Sequence, residues 1–158
     1  MPHTLQLTTP SENEVQIQRS FNAPRRLVYD CWTKPELVRR WLTGPEGWTF
    51  EVCDIDLRVG GTYRYVWRAP DATRMGMGGT YREIVPAERI VANELYDEDW
   101  TGGETLATLL FAEHAGQTTV TTRIRYSSPA ARDAALRTGM DQGMAAGFDR
   151  LEAVLASA

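Results

Sequence analysis

Between Glu14 and Phe21 polar and apolar residues alternate, with Val15, Ile17 and Phe21 on one parity and Gln16, Gln18 and Ser20 on the other. That period of two predicts a half-buried strand. Asn22-Ala23-Pro24 closes it, and the period then changes: Leu27, Val28, Cys31 and Trp32 recur at helical spacing up to Thr33. Pro35 opens a second short helix through Leu37, Val38, Trp41 and Leu42, proline being favoured in a first turn. After Gly44-Pro45-Glu46-Gly47 come six strand-like runs, over 48–57, 61–69, 75–85, 89–97, 104–114 and 117–127. Each is bounded by turn chemistry such as Gly60-Gly61, Pro70-Asp71, Pro86-Ala87, Gly102-Gly103 and Ala115-Gly116, and short turns predict an antiparallel meander. From 129 to 156 Leu136, Met140, Met144, Phe148, Leu151 and Leu155 form one stripe. At 1.5 Å per residue that helix would run about 40 Å, enough to cross a sheet. The expected fold class is α+β, a curved antiparallel sheet wrapped around a long C-terminal helix, with two short helices after the first strand. Residues 1–12 read as a flexible tail and 13–158 as a single domain.

Length and charge narrow the function. A chain of 158 residues buries enough surface for one domain. A net charge of -4, with basic residues spread along the chain and no basic run, excludes a nucleic-acid partner held by a basic field. No apolar run approaches the length of a membrane span, and Met1-Pro2-His3-Thr4 lacks the apolar core of a signal peptide, which predicts a cytoplasmic protein. Cys31 and Cys53 read as two buried thiols. His3 falls in the tail and His114 in a turn, so neither a histidine-dependent triad nor a metal site is expected, and no cofactor.

The candidate chemistry is carried by aromatics. Asp56-Leu57-Arg58-Val59-Gly60-Gly61 reads as a corner in which Arg58 pairs with a carboxylate. Beyond it Tyr63, Tyr65 and Trp67 alternate with Thr62, Arg64 and Val66, so three rings share one face. They either fill the layer beneath the long helix or line a pocket. Pocket lining is the favoured reading, because two tyrosine hydroxyls in a sealed core would need partners. Met75, Met77, Met140 and Met144 supply either a deformable wall or ordinary core filling. Trp41 and Trp48 flank Gly44-Pro45-Glu46-Gly47, where they gate a mouth or anchor the loop, and Trp100 in the acidic 97–103 segment is a candidate lid. Gly139, Gly143 and Gly147 fall four apart, each costing about 1 kcal/mol relative to alanine in a helix. Close approach of backbone to sheet, room for a ligand, or a second subunit would offset that cost. Glu83 and Glu94 are the carboxylates best suited to acid/base work if they turn inward, but a register change of one residue reverses the face.

The words Ala23-Pro24 with Val28 and Trp32, Pro35-Glu36-Leu37, Arg40-Trp41, Gly44-Pro45-Glu46-Gly47-Trp48, Asp56 to Gly61, Gly79 to Pro86 with Glu88-Arg89-Ile90, and Gly143 to Leu155 occur in a characteristic order. In that order, from about Val15 to Leu155, the chain resembles the family related to the C-terminal domain of the activator of Hsp90 ATPase. That family lies within the wider START-like (SRPBCC, Bet v 1-like) superfamily. The resemblance implies a helix-grip fold with a cavity between sheet and long helix, and no catalytic set. Relatives often carry a tryptophan in the region of Met144 or Phe148, which predicts a roomier contact here. The expected ligand-contacting set is Trp41, Trp48, Tyr63, Tyr65, Trp67, Met77, Tyr81, Met140, Met144 and Phe148. Three functions follow as expectations. The first is binding of a small hydrophobic or aromatic molecule. The second is a cyclase, dehydratase or hydrolase acting on a polyketide-like or aromatic substrate. The third is activation of an Hsp90-type chaperone ATPase, against which stands the absence of the N-terminal domain that co-chaperone relatives carry. A homodimer is compatible with all three.

Overall fold

A computed structural model describes residues 3–98 and 103–157. The elements are β1 (Gln6–Thr8), β2 (Glu14–Phe21), α1 (Arg25–Thr33), α2 (Pro35–Trp41), β3 (Thr49–Ile55), β4 (Thr62–Arg68), β5 (Arg74–Val85), β6 (Arg89–Tyr96), β7 (Thr105–His114), β8 (Gln117–Arg125), α3 (Pro129–Leu136) and α4 (Met140–Ala156). The strands form one eight-stranded antiparallel sheet in the order β1-β2-β8-β7-β6-β5-β4-β3. The six-strand meander is therefore present as expected. It is joined at β8 by β2, paired along its whole length from Glu14 against Arg125 to Phe21 against Thr118. The sheet curves around the helices, an α+β helix-grip arrangement.

Two elements differ from the sequence reading. The segment read as a tail contributes β1, with Leu7 opposite Ile17 and packed against the core. A three-residue strand carries too little periodicity to stand out in a sequence, and forms here because β2 offers it a free edge. The single long helix is instead two. Ser128 caps α3, its hydroxyl accepting the Ala131 N–H at 3.0 Å, and the helix ends before Gly139, which sits at φ +78° and caps α4. A residue in the left-handed region cannot continue a right-handed helix, and glycine adopts that region without a Cβ penalty.

Nor do the three glycines bring α4 close to the sheet. A methyl on Gly139 or Gly143 would meet nothing within 4 Å, and one on Gly147 would make only ordinary contact with Trp41 and Arg150. Gly143 is exposed in the helix, so Gly143→Ala is expected to raise the unfolding free energy by about 1 kcal/mol. Urea denaturation checks this; a variant less stable than the parent would mean the backbone there is needed in another conformation.

Next to α1 and α2 the core is closed and aromatic. Phe21, Trp32, Trp41, Phe111 and Phe148 meet at centroid separations of 4.8–6.2 Å. Arg19, on the inward parity of β2 and only 4% exposed, reaches Asp149 of α4 at 3.2 Å while its guanidinium lies 4.5 Å from the Phe21 ring. Cys31 and Cys53 are free and buried, and burial pushes both thiols up to about 11.

Candidate ligand-binding site

β4 presents Tyr63, Tyr65 and Trp67 inward, all three buried. Across the sheet Tyr65 lies between Cys53 and Met77, Tyr63 between Ile55 and Gly79, and Trp67 between Phe50 and Met75. The rings run in a file, Trp67 to Tyr65 at 5.9 Å, Tyr65 to Tyr63 at 5.2 Å and Tyr63 to Tyr81 at 5.4 Å between centroids. Their polar tips are treated differently. Trp67 donates its indole N–H to the Leu42 carbonyl at 2.8 Å, which ties β4 to the loop after α2 and makes Trp67 an end wall beside half-buried Trp48. Tyr63 donates to the Asn93 carbonyl at 2.9 Å.

That last bond depends on Gly79. The β5–β6 ladder pairs Gly78 with Leu95 and Tyr81 with Ala92, leaving Gly79 and Thr80 opposite Glu94 and Asn93 without ladder partners. A Cβ on Gly79 would collide with the Asn93 carbonyl and come within 3.0 Å of the Tyr63 ring. With no side chain at that position, the Tyr63 ring crosses β5 and its hydroxyl takes the carbonyl.

Among the described residues neither the Tyr65 nor the Tyr81 hydroxyl hydrogen-bonds to a protein group, yet no buried side-chain oxygen lacks a partner. Those two hydroxyls therefore keep a small accessible area, although both residues are more than nine-tenths buried. Burial raises the pKa of Tyr65 and Tyr81 well above the ordinary phenol value, so both remain donors at neutral pH.

Glu94 resolves the question of register. It shares the inward face of β6 with Ala92 and Tyr96, opposite Thr105 of β7, whereas Glu83 is exposed and pairs with Arg89 at 3.0 Å. The Thr105 hydroxyl lies 3.4 Å from the Glu94 carboxylate. Burial raises the Glu94 pKa, and that hydrogen bond only partly opposes it. Its charge is felt by Tyr63, Tyr65, Tyr96 and Tyr126, in each of which it adds to burial in raising the hydroxyl pKa, to about 12 at Tyr126. Glu94 is deeply enclosed by protein and still keeps part of its surface accessible.

Met140 and Met144, one turn apart on α4, are half-buried and packed against the core. The Tyr126 hydroxyl meets the Met140 sulfur at 3.6 Å. Thr105 and Tyr126 also line a cleft of about 200 Å³ at the ends of β7 and β8, rimmed by Arg82, Glu104 and Arg125.

Of the expected contact residues, Tyr63, Tyr65, Met77 and Tyr81 share one floor, with Met140 and Met144 half-buried on α4. Trp67 and Trp48 close one end. Trp41 and Phe148 belong to the aromatic group next to α1 and α2, where the Trp41 indole donates to the Cys31 carbonyl at 2.7 Å. They touch each other and Trp32 rather than the tyrosines. Trp100 lies outside the described residues. Tyr96, Thr105 and Tyr126 were missed by sequence reasoning. Tyr96 was legible as the residue two beyond Glu94, and Tyr126 as the end of the alternation Val120, Thr122, Ile124. Among the described residues no group of His, Cys, Asp and Glu could hold a metal ion, and no helix is long and apolar enough to cross a membrane.

Several solved structures are similar. A Rhodobacter sphaeroides protein is 32% identical, with 98% of this chain and 99% of that one covered and a TM-score of 0.93. A Chromobacterium violaceum protein is 25% identical over 90% of this chain and 97% of that one, with a TM-score of 0.76. An AHSA1-like protein from Aeromonas hydrophila, 20% identical over 88% and 93% with a TM-score of 0.69, shows the fold alone. No curated protein matches the chain. A family model described as activator of Hsp90 ATPase homolog 1-like protein matches residues 22–156, and with the START-like, Bet v 1-like fold its neighbours share, the chain belongs to that family.

Proposed function

We propose that the protein binds a small hydrophobic or aromatic molecule on the floor of Tyr65, Tyr81 and Met77, under Met140 and Met144. The observation that carries this reading is the pair of tyrosine hydroxyls, Tyr65 and Tyr81, that lie inside the fold, make no hydrogen bond to a described protein group and keep a small accessible area. An apolar ligand gains by displacing water from around them, and the hydroxyls orient it. Methionines adapt to ligand shape at little cost, and the helix break at Gly139 lets the start of α4 adjust without moving its packed second half.

A panel of apolar aromatic compounds followed by thermal shift tests the reading, with Met144→Trp as the partner variant. At least one compound is expected to raise the melting temperature of the parent. Met144→Trp is expected to leave the free protein as stable or more so, because the indole enters unfilled space, and to abolish the ligand-induced shift. A panel without effect, or a variant destabilised by overpacking that keeps its ligand response, overturns the reading.

Inward Glu94, with its raised pKa, favours a second reading in which the bound molecule undergoes proton transfer, as in a cyclase or dehydratase. Mass spectrometry of the same incubations decides it: unchanged compounds after prolonged contact with the protein exclude turnover of that panel.

A further inference from the structure

Glu94 has an acid's charge and no counter-ion. Thr105 is its described hydrogen-bond partner, and no arginine, lysine or histidine among the described residues acts on it. The buried cation of the core, Arg19, is committed to Asp149 and Glu152, and outward Glu83 pairs with Arg89. Around the carboxyl every packed element offers a ring or a neutral group. β4 brings Tyr63 and Tyr65, β5 brings Gly79 and Met77, β6 itself Tyr96, β7 Thr105, and the chain after β8 Tyr126. α4 adds the Met140 sulfur.

Resting on the binding role proposed above, we infer that the ligand carries a protonated amine on its apolar body, and that Glu94 anchors that amine among the tyrosines. A buried carboxylate costs several kcal/mol unless a cation is brought to it. The fold supplies none, so an incoming ammonium supplies the missing charge. Tyrosine faces attract the same group through their quadrupoles, and tyrosine hydroxyls accept its remaining hydrogens. A neutral ligand would leave the acid uncompensated, and an anion would meet repulsion from it. Arg82 and Arg125 at the cleft rim are the features that would favour an anion, which makes a carboxylate the necessary control.

Calorimetry with three compounds of one shape, 1-naphthylmethylamine, 1-naphthylmethanol and 1-naphthoate, separates the possibilities. The amine is expected to bind at least tenfold more tightly than the alcohol at pH 8, and the carboxylate most weakly. Between pH 8 and pH 5 the amine stays protonated, so loss of its advantage on acidification reports the protein carboxyl. Because burial makes Glu94 hold its proton more firmly in the fold than in water, the advantage is expected to shrink steadily as the pH falls from 8 to 5. Glu94→Gln, nearly isosteric, is expected to bring the affinities for amine and alcohol within about twofold of each other. The wild-type comparison stands even where that variant folds poorly. Equal affinities for amine and alcohol, a preference for the carboxylate, or an amine advantage that survives in Glu94→Gln overturns the inference, yet leaves the apolar binding role standing. Failure of all three compounds to bind, with no panel compound active either, overturns both.

Discussion

Trp41→Ala is expected to lower the unfolding free energy by about 3–5 kcal/mol, the range for deleting a large buried aromatic. Trp41 is 3% exposed and stands at the centre of the aromatic core, 4.8 Å from Trp32 and 6.1 Å from Phe148 between ring centroids. Its loss leaves a cavity bounded by α1, α2 and α4, and strips the Cys31 carbonyl of its indole donor. Arg150, which donates to the Trp41 carbonyl at 3.0 Å, cannot move in to fill the space without giving up that bond. The measurement is urea unfolding followed by far-ultraviolet circular dichroism. A loss under about 1 kcal/mol, the size of a surface effect, would mean that Trp41 is a mobile gate after all, as one reading of its place beside the Gly44 loop allowed.

Gly79→Ala is the second large effect, about 3 kcal/mol, at the upper end of overpacking because the clash is with main chain. The added methyl collides with the Asn93 carbonyl and crowds the Tyr63 ring, and neither can yield alone. Moving the carbonyl breaks its bond to Tyr63, and moving the ring breaks its file with Tyr65 and Tyr81. Tyr63→Phe removes the bond without adding bulk and is expected to cost about 1 kcal/mol. The pair of variants separates the two causes. If Gly79→Ala costs no more than Tyr63→Phe, β5 has room that its geometry denies, and the ladder gap opposite Glu94 is not held by this contact.

Much of the fold was legible because its signals are local. Alternation along β2 and β4 placed faces, proline and glycine pairs placed turns, and six runs between short turns left only a meander. The broken C-terminal helix was not legible. The stripe from Leu136 to Leu155 is continuous across Gly139, and nothing local distinguishes a helical glycine from one at φ +78°. β1 was missed for a similar reason, since its pairing is provided by β2 and not by its own three residues.

Half of the candidate site could be read in advance and half could not. The inward tyrosines followed from period two on β4. Whether Trp67 would contact a ligand or cap a loop did not, because the Leu42 carbonyl that takes its N–H lies 25 residues away. Trp41 and Phe148 were grouped with the tyrosines by residue type and helix stripe, and packing put their ring contacts with Trp32 of α1 and with each other, within one common core. Glu83 and Glu94 looked equivalent along the chain. The register shift in β5 between Tyr81 and Glu83 is what turned Glu83 out, and pairing of Glu94 with Thr105 is what turned it in.

By itself, then, the sequence determined the class of architecture, the identity of the strands and the face on which the aromatics lie, since each of these is written in neighbours one to four residues apart. Only the tertiary structure decided which aromatics pack against which. It alone put a carboxyl without a described counter-ion beside four tyrosines. Those outcomes depend on cross-strand register and on contacts between residues far apart in the chain, and a side chain's burial is set by partners that no local pattern contains.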